Sequence, residues 1–249
     1  MNLTPMPAVW RGGSVTGLEH VRLGRNNQDA LAACELGGLL SVVVTDGCGS
    51  GAFSEVGARL GASYFARELC AQVAVYGFTD EAVHAAGEAL LAWLEPVARG
   101  LGDVVAGVAE HLLFSVLAAV TDGDQVLVCG AGDGLFTIDG RLTVVEPGKG
   151  NAPAYLTYRL VPKERLTAPA DPRLVTHFNG HAREVVIATD GALALVKEGS
   201  TALSELALSA FVGTSPYLLR RRLTVLAERE RRLLDDTTVA VVRLPGAMP

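Results

Sequence analysis

Short apolar runs recur along the chain, and most of them have the length of β-strands. Such runs occupy residues 39–44, 111–121, 125–129, 135–138, 142–145, 185–188 and 238–243, and residues 14–21 also have strand character. Two Asp-Gly pairs, at Asp122 and Asp139, lie between consecutive runs, as the turns of β-hairpins do. The pattern therefore predicts a series of strands, several of them joined as hairpins.

Helical spacing appears in the middle of the chain and again near its end. After the glycine-rich segment 47–51, one apolar face recurs every three or four residues, with Ser54 as the predicted N-cap. That predicted buried face consists of Val56, Leu60, Tyr64 and Leu69. A second helix is predicted at about residues 80–98, weakened near its end by Pro96. Shorter helices are predicted at residues 191–196 and 216–232.

The composition predicts a substantial hydrophobic core. The chain has 249 residues, of which 49% are hydrophobic and 19% are charged, and such a chain can bury a large apolar interior. Strands on both sides of a helical segment indicate one layered domain in which helices cover sheets. We therefore expect a single domain over residues 1–249, with a short flexible N-terminus at about residues 1–10.

Charge, hydropathy and cysteine spacing exclude several classes of protein. A net charge of −6 argues against nucleic acid as a partner. The most apolar stretch, residues 104–120, is interrupted by Glu110 and His111 and is short for a membrane span. The N-terminus lacks the pattern of a signal peptide. The four cysteines form no Cys-x-x-Cys pair, so we expect reduced thiols in a cytoplasmic protein without a membrane partner.

Carboxylates at the ends of apolar runs are the most informative chemical feature of the chain. Two runs end in the same three residues, Thr45-Asp46-Gly47 and Thr189-Asp190-Gly191, and the pair Asp235-Asp236 precedes the last run. Carboxylates at the ends of buried strands are costly unless their charge is compensated, and a divalent cation is the usual compensation where several converge. The pattern therefore predicts a metal site built from oxygen ligands.

The five Asp-Gly pairs of the chain do not all have the same interpretation. Asp122 and Asp139 join strand-like runs and are interpreted as turn residues. Asp46 and Asp190 are followed by glycine-rich or helical segments instead, which favours metal ligation. For Asp133, and for one of Asp235 and Asp236, local sequence leaves a ligand role and a turn or helix-end role equally open.

Five segments together carry a family resemblance. They are Asn26-Asn27-Gln28-Asp29, Asp46-Gly47-Cys48-Gly49, Gly132-Asp133-Gly134, Thr189-Asp190-Gly191 and Asp235-Asp236-Thr237-Thr238. In this order they resemble the motifs of the metal-dependent type 2C (PPM-type) serine/threonine protein phosphatases, in particular bacterial single-domain members. Each motif alone is weak, but the five span residues 26–242, which makes their order specific.

The resemblance implies a fold and a metal site. The expected fold is α+β, a four-layer α-β-β-α sandwich of two antiparallel sheets flanked by helices, with two Mg²⁺ or Mn²⁺ ions at one end. Hard oxygen ligands favour these ions over zinc. Asp46 would bridge both ions, the Gly47 carbonyl would bind one of them, and Asp190 and Asp235 would complete the protein ligands. Asp133 would belong to a third, weaker metal position.

The resemblance also implies an activity. The chain would be a metal-dependent phosphoprotein phosphatase that hydrolyses phosphoserine and phosphothreonine by in-line attack of a metal-bridging water or hydroxide. Asp29, Asp46 and Asp190 would be the catalytic residues, with Asp29 orienting metal-bound water. The implied partners are a phosphorylated protein substrate and a cognate serine/threonine kinase.

Three positions depart from the better-known members of the family. Gln28 stands where many members have Glu, and Gly24 stands where the phosphate-binding Arg is common. Arg22 and Arg25 flank Gly24, and either could bind a substrate phosphate or be an exposed loop charge. Cys48 stands where eukaryotic members often have a His that is proposed as general acid.

These departures keep two other functions open. One is a catalytically weak or inactive phosphatase-like module that binds a kinase or another regulatory protein. The other is a metal-dependent hydrolase of a small phosphorylated metabolite. The five histidines, His20, His84, His111, His177 and His181, show no metal-ligand spacing, and the sequence assigns them no role.

Overall fold

The fold is an α+β sandwich of two antiparallel sheets with helices on both outer faces, as predicted. A computed structural model describes residues 8–148, 152–165, 172–196 and 201–245. The predicted flexible N-terminus lies mostly outside the described residues, although Val9 and Trp10 belong to the first strand. No helix in the described part of the chain is long and apolar enough to cross a membrane.

The first sheet has five strands in the order β1-β10-β9-β6-β7. Their bounds are β1 Val9–Val15, β6 Gly134–Ile138, β7 Arg141–Val145, β9 Glu184–Ala188 and β10 Thr237–Arg243. Strand β10 lies between β1 and β9 and is antiparallel to both. The first and the last described strands of the chain are therefore neighbours in one sheet.

The second sheet also has five strands, in the order β2-β3-β4-β5-β8. Their bounds are β2 Asp29–Leu36, β3 Leu39–Gly47, β4 Phe114–Thr121, β5 Gln125–Ala131 and β8 Val175–His181. Strand β3 is paired along its whole length with β2 on one side and β4 on the other. Its end at Gly47 is therefore fixed by two neighbours.

The helices cover the outer faces of the two sheets. They are α1 Leu18–Leu23, α2 Ser54–Tyr76, α3 Asp80–Gly100, α4 Val104–Gly107, α5 Leu193–Val196, α6 Thr201–Ser209 and α7 Leu218–Thr224. Apolar residues of α2 and α3 pack on the second sheet, and those of α6 and α7 pack on the first. A third cluster, including Val42, Val44, Ile187 and Val242, lies between the sheets.

Helix α2 begins where it was expected, but its buried face differs from the prediction. Val56 is 39% exposed, whereas Gly57, Ala58 and Gly61 are buried. A Cβ at Gly61 would lie 2.3 Å from the Phe114 ring, so only small residues allow the helix to approach β4 this closely. Ser54 is the first helical residue rather than the N-cap.

Other predicted boundaries also change. The expected strand at residues 14–21 is wrong, because β1 ends at Val15 and α1 begins at Leu18. The helix expected at residues 216–232 is shorter: α7 ends at Thr224 and is followed by a π-helical turn, Val225–Arg229. The hairpin turns at Asp122 and Asp139 are confirmed. The Asp122 carboxylate accepts hydrogen bonds from the N–H groups of Asp124 and Gln125.

Candidate active site

One cavity of about 280 Å³ collects most of the predicted site residues. Asp46, Gly47, Asp133, Asp190 and Asp235 line it, although they come from both sheets and from distant parts of the chain. Its remaining lining residues are His20, Gln28, Cys48, Gly49, Ser50, Pro153, Tyr155 and Asp236. The cavity therefore lies at one end of the sandwich, where β3 and β9 end and β10 begins.

Asp46 is held by strand pairing on both sides. Because β3 continues through Gly47, Asp46 lies opposite Asp29 of β2 and opposite Ser115 of β4. Burial raises the pKa of Asp46 well above its ordinary value, and the negative charges of Asp29 and Asp190 raise it further. A carboxylate in this position requires a nearby positive charge to remain ionised at low cost.

Asp29 lies next to Asp46 but does not line the cavity. It is 3% exposed, and its Oδ2 accepts a 2.8 Å hydrogen bond from the Thr189 hydroxyl. Its Oδ1 has no hydrogen-bond partner among the described residues. Burial raises the pKa of Asp29 well above its ordinary value, against the opposing effect of the Thr189 hydrogen bond.

Asp190 and Asp133 are placed by turns. Asp190 begins a 3₁₀ turn, Asp190–Ala192, directly after β9, and it is only partly buried. Asp133 lies between β5 and β6, and the Ser115 hydroxyl donates a short hydrogen bond to its carboxylate. Burial raises the pKa of Asp133, and the charge of Asp190 adds to this effect.

The structure separates the roles of Asp235 and Asp236, which the sequence left open. The Asp236 carboxylate accepts hydrogen bonds from the N–H groups of Gly17 at 2.7 Å and Gln28 at 2.6 Å. It also bonds to Nδ1 of His20 at 2.8 Å. Asp236 is thus occupied by protein groups, whereas burial and the neighbouring Asp190 charge raise the pKa of Asp235. Asp236 is therefore the less available of the two for a cation.

Steric constraints explain why a glycine follows Asp46 and Asp190. A Cβ at Gly47 would lie 2.7 Å from the Gln28 carbonyl oxygen. A Cβ at Gly191 would lie 2.0 Å from the Asp236 carbonyl oxygen. Both distances are shorter than real Cβ contacts, so each glycine lets its segment approach another backbone at the cavity wall.

The donor set fits Mg²⁺ or Mn²⁺ in its chemistry. Every predicted ligand is an oxygen, several carboxylates repel one another, and their pKa values are raised in the absence of a cation. Within the described ranges, however, no three His, Cys, Asp or Glu side chains are placed to hold an ion by themselves. Water would have to supply several ligands, as is usual for Mg²⁺.

The two predicted phosphate-binding arginines lie outside the cavity lining. Both are exposed, and Nη1 of Arg25 donates a 2.6 Å hydrogen bond to the Gly49 carbonyl. Arg25 is thereby attached to the loop that follows Asp46. Gln28 lines the cavity and is 2% exposed, with its Nε2 donating to the Gly51 carbonyl.

Several cavity residues were not predicted from the sequence. His20 lines the cavity through its bond to Asp236, and Ser115 and Thr189 orient the carboxylates of Asp133 and Asp29. Thr189 precedes Asp190 in a motif that the sequence repeats, which was a usable signal. His20 and Ser115 gave no such signal because their partners are distant in the chain.

Cys48 and Tyr155 also line the cavity. Burial raises the pKa of the Cys48 thiol, but hydrogen bonds from Ser50 and Tyr155 outweigh it, so the pKa lies below its ordinary value. Burial raises the pKa of Tyr155, and the neighbouring Cys48 adds to the effect.

A larger groove of about 860 Å³ lies beside this cavity, between β1, β2 and α7. Its lining includes Asp29, Arg59, Tyr217 and Arg220 but none of the predicted ligands Asp46, Asp133, Asp190 and Asp235. Size alone therefore does not identify the site. The smaller cavity is the candidate because the carboxylates converge there.

Sequence and structure comparisons identify the family of the chain and proteins of similar fold. The sequence model described as protein phosphatase 2C matches residues 16–232, and the chain belongs to this family. Several solved structures with a similar fold are bacterial serine or serine/threonine phosphatases. No curated protein sequence matches the chain.

Three solved structures illustrate the similarity of fold. A bacterial serine phosphatase has a TM-score of 0.57 at 16% identity, covering 95% of this chain and 98% of its own. Serine/threonine phosphatase Stp1 from Staphylococcus aureus has a TM-score of 0.59 at 15% identity, covering 97% of both chains. PppA, a key regulatory component of T6SS in Pseudomonas aeruginosa, has a TM-score of 0.61 at 20% identity, covering 96% and 99%.

Proposed function

We propose that the chain is a metal-dependent phosphoprotein phosphatase that hydrolyses phosphoserine and phosphothreonine. The observation that carries the proposal is the convergence of Asp46, Asp133, Asp190 and Asp235 on one cavity, in a member of the protein phosphatase 2C family. The proposal includes one catalytic domain, a cytoplasmic location and a protein substrate phosphorylated by a cognate serine/threonine kinase.

The metal ligands would come from both sheets. Asp46, the Gly47 carbonyl, Asp190 and Asp235 would hold two Mg²⁺ or Mn²⁺ ions, and Asp133 would belong to a third position. When bound, the ions would neutralise phosphate charge and lower the pKa of a water that attacks phosphorus. Their positive charge would also offset the repulsion that raises the pKa of Asp46.

The protein side chains would orient the reactants. Asp29 would orient metal-bound water: it lies opposite Asp46 in the sheet, the Thr189 hydroxyl fixes its carboxylate, and its buried Oδ1 has no hydrogen-bond partner among the described residues. Arg25 is a better candidate than Arg22 for binding the substrate phosphate, because its bond to Gly49 holds it beside the cavity. Its guanidinium group would need only to rotate towards the opening.

The test compares hydrolysis of a phosphoseryl peptide by the wild type and three variants in the presence of Mn²⁺. Asp46→Asn and Asp190→Asn should each lower kcat/KM by about 10³-fold or more, since a lost ligand removes several kcal/mol of charge stabilisation. Asp122→Asn is the matched control, because that exposed aspartate belongs to a hairpin turn. Equal activity in all four proteins would contradict the proposal.

A second candidate is a phosphatase-like module that binds a kinase or regulatory protein without turnover. It is favoured by the neutral Gln28 in the cavity wall and by the absence of a three-carboxylate cluster in the described residues. Calorimetry with Mn²⁺ separates the two functions. Uptake of two ions with peptide hydrolysis supports the phosphatase, whereas no uptake and no hydrolysis support the module.

A further inference from the structure

His20 has a defined place in the cavity, although nothing in the sequence assigned it a role. It belongs to α1, lines the cavity, and its side chain is 12% exposed. Nδ1 lies 2.8 Å from Oδ2 of Asp236, which leaves Nε2 as the free ring nitrogen. No hydrogen bond joins Nε2 to another residue in the described part of the chain, and Nε2 is not a buried unsatisfied atom.

The partner of His20 is itself held in place. The Asp236 carboxylate accepts hydrogen bonds from the Gly17 and Gln28 N–H groups, so it cannot rotate freely. Helix α1 is also docked on the segment before β10: the N–H of Leu18 donates to the Leu233 carbonyl. The imidazole is therefore oriented by a buried carboxylate that is fixed from two other segments.

His20 is the only basic side chain among the cavity-lining residues, all of which belong to the described part of the chain. The acidic side chains that surround it in the lining are Asp46, Asp133, Asp190, Asp235 and Asp236. A carboxylate bonded to one nitrogen of an imidazole stabilises its protonated form and fixes the orientation of the other nitrogen. The geometry is that of a carboxylate–histidine pair aimed at a polar cavity.

Hydrolysis of phosphoserine requires a proton donor, and a carboxylate–histidine pair can act as one. A seryl or threonyl oxygen is a poor leaving group as an alkoxide, so a proton must reach it as the P–O bond breaks. The other proton-bearing side chains in the lining have other partners or are poor acids. Cys48 and Ser50 are hydrogen-bonded to each other, with Sγ and Oγ 3.1 Å apart. Tyr155 has a raised pKa, and the Gln28 amide, which is not an acid, is already bonded to the Gly51 carbonyl.

We propose that His20, oriented by Asp236, is the proton donor to the leaving oxygen; this inference rests on the proposed phosphatase function. As water forms a bond to phosphorus, the bond from phosphorus to the seryl oxygen breaks and its electron pair stays on that oxygen. The Nε2 proton moves to the oxygen, giving the free hydroxyl. The proton lost by the attacking water returns to the imidazole through solvent, so the cycle balances without a further reactant.

The experiment compares two substrates that differ in their need for a proton. A phosphoseryl peptide releases an alkoxide, whereas p-nitrophenyl phosphate releases a stabilised phenolate that leaves without protonation. His20→Gln keeps a hydrogen-bonding side chain next to Asp236 but cannot act as an acid, and His20→Ala removes the side chain. His84→Gln is the control, because His84 is 75% exposed on α3 and lies outside the cavity.

Both His20 variants should lose about 10²-fold or more in kcat/KM on the phosphoseryl peptide, the usual contribution of a general acid. Their loss on p-nitrophenyl phosphate should be smaller by about tenfold or more, and their Mn²⁺ uptake in calorimetry should match the wild type. His84→Gln should behave as the wild type on both substrates.

Two results would overturn the role of His20 while the phosphatase function stands. Equal losses on both substrates would show that His20 only pins α1 to Asp236, and no loss on the peptide would show that another group supplies the proton. A wild type that is inactive on both substrates would instead reject the phosphatase function itself. The two failures are therefore distinguishable.

Discussion

The two Thr-Asp-Gly segments have the same sequence but different surroundings. The segment with Asp46 stays inside a sheet, because β3 is paired with β2 and β4 through Gly47. The segment with Asp190 leaves its sheet: β9 ends at Ala188, and Asp190 begins a 3₁₀ turn. The first carboxylate belongs to a residue that is paired on both sides, and the second belongs to a turn; both residues are partly exposed.

This difference shows that strand pairing, rather than the local motif, determines the electrostatic environment. Asp46 lies opposite another aspartate, Asp29, and burial is the main cause of its raised pKa. Asp190 has no cross-strand partner, although both aspartates are partly exposed and line the same cavity. One motif therefore provides a carboxylate fixed inside a sheet beside a second aspartate, and another that is carried by a turn.

Alanine substitutions of Gly47 and Gly191 test whether both segments require a close approach to another backbone. Gly191→Ala should lower the free energy of unfolding by about 3 kcal/mol or prevent folding, because its Cβ would lie 2.0 Å from the Asp236 carbonyl oxygen. Gly47→Ala should cost about 1–3 kcal/mol, since its contact with the Gln28 carbonyl is less severe at 2.7 Å. Urea denaturation would measure both values.

Gly49→Ala is the control for these variants. Gly49 lies two residues after Gly47, and a Cβ at Gly49 would meet nothing within 4 Å. The free energy of unfolding of the Gly49→Ala variant should therefore differ from that of the wild type by less than about 0.5 kcal/mol. Equal free energies of unfolding for the Gly191→Ala and Gly49→Ala variants would contradict the close packing of the Asp190 turn against the segment that leads into β10.

The pH dependence of stability tests the electrostatic side of the comparison. Asp29 and Asp46 have pKa values well above their ordinary 3.8 in the folded protein, mainly because of burial. Their contribution to stability is therefore fully present below about pH 3.8 and is lost as the pH rises through the folded pKa values. Without a bound cation, the folded protein should thus become less stable from acidic towards neutral pH.

In metal-free protein, Asp46→Asn should flatten this decline, because it removes the buried carboxylate that faces Asp29. Asp190→Asn should flatten it less, since it removes only one of the charges that raise the pKa of Asp46 and leaves the main cause, burial, in place. Chemical denaturation at several pH values with a chelator present would measure the slopes. Added Mn²⁺ should stabilise the wild type at neutral pH, by about 2.7 kcal/mol at 100 times its Kd. Equal slopes for both variants would contradict the contrast between the two segments.

The smallest effect is expected at an Asp-Gly pair outside the site. Asp139→Ala should lower the free energy of unfolding by about 1 kcal/mol, because the N–H groups of Arg183 and Glu184 lose their acceptor. Phosphatase activity should be unchanged, since Asp139 lies at the opposite end of β6 from Asp133. Asp139→Asn keeps an acceptor and tolerates the positive φ of 49°, so it should remain close to the wild type. A loss of activity in either variant would contradict the turn interpretation.

The strands of the inter-sheet core could be predicted because their apolar runs are continuous. Strand β8 escaped prediction because it is polar and partly exposed at a sheet edge, and β2 because small residues dominate it. Helix α1 has no buried residue. It is held by hydrogen bonds from Leu18 and Glu19 to the carbonyls of Leu233 and Leu234, contacts that no local window reveals.

The site residues also divide into those that could be predicted from the sequence and those that could not. The ligand candidates that line the cavity follow from strand-end carboxylates and from the order of the motifs. His20 could not be predicted, because its partner Asp236 is 216 residues away. The exposed positions of Arg22 and Arg25 could not be predicted either, because they depend on how α1 docks before β10.

The central position of β10 has a consequence for biosynthesis. Thr237–Arg243 is inserted between β1 and β9, and Asp235 and Asp236 lie just before it. A ribosome-bound chain that still lacks this strand exposes two unpaired edges and carries only part of its carboxylate cluster. Such a nascent chain would need protection from aggregation, and its carboxylate cluster would be complete only once residues 235–243 are translated and paired.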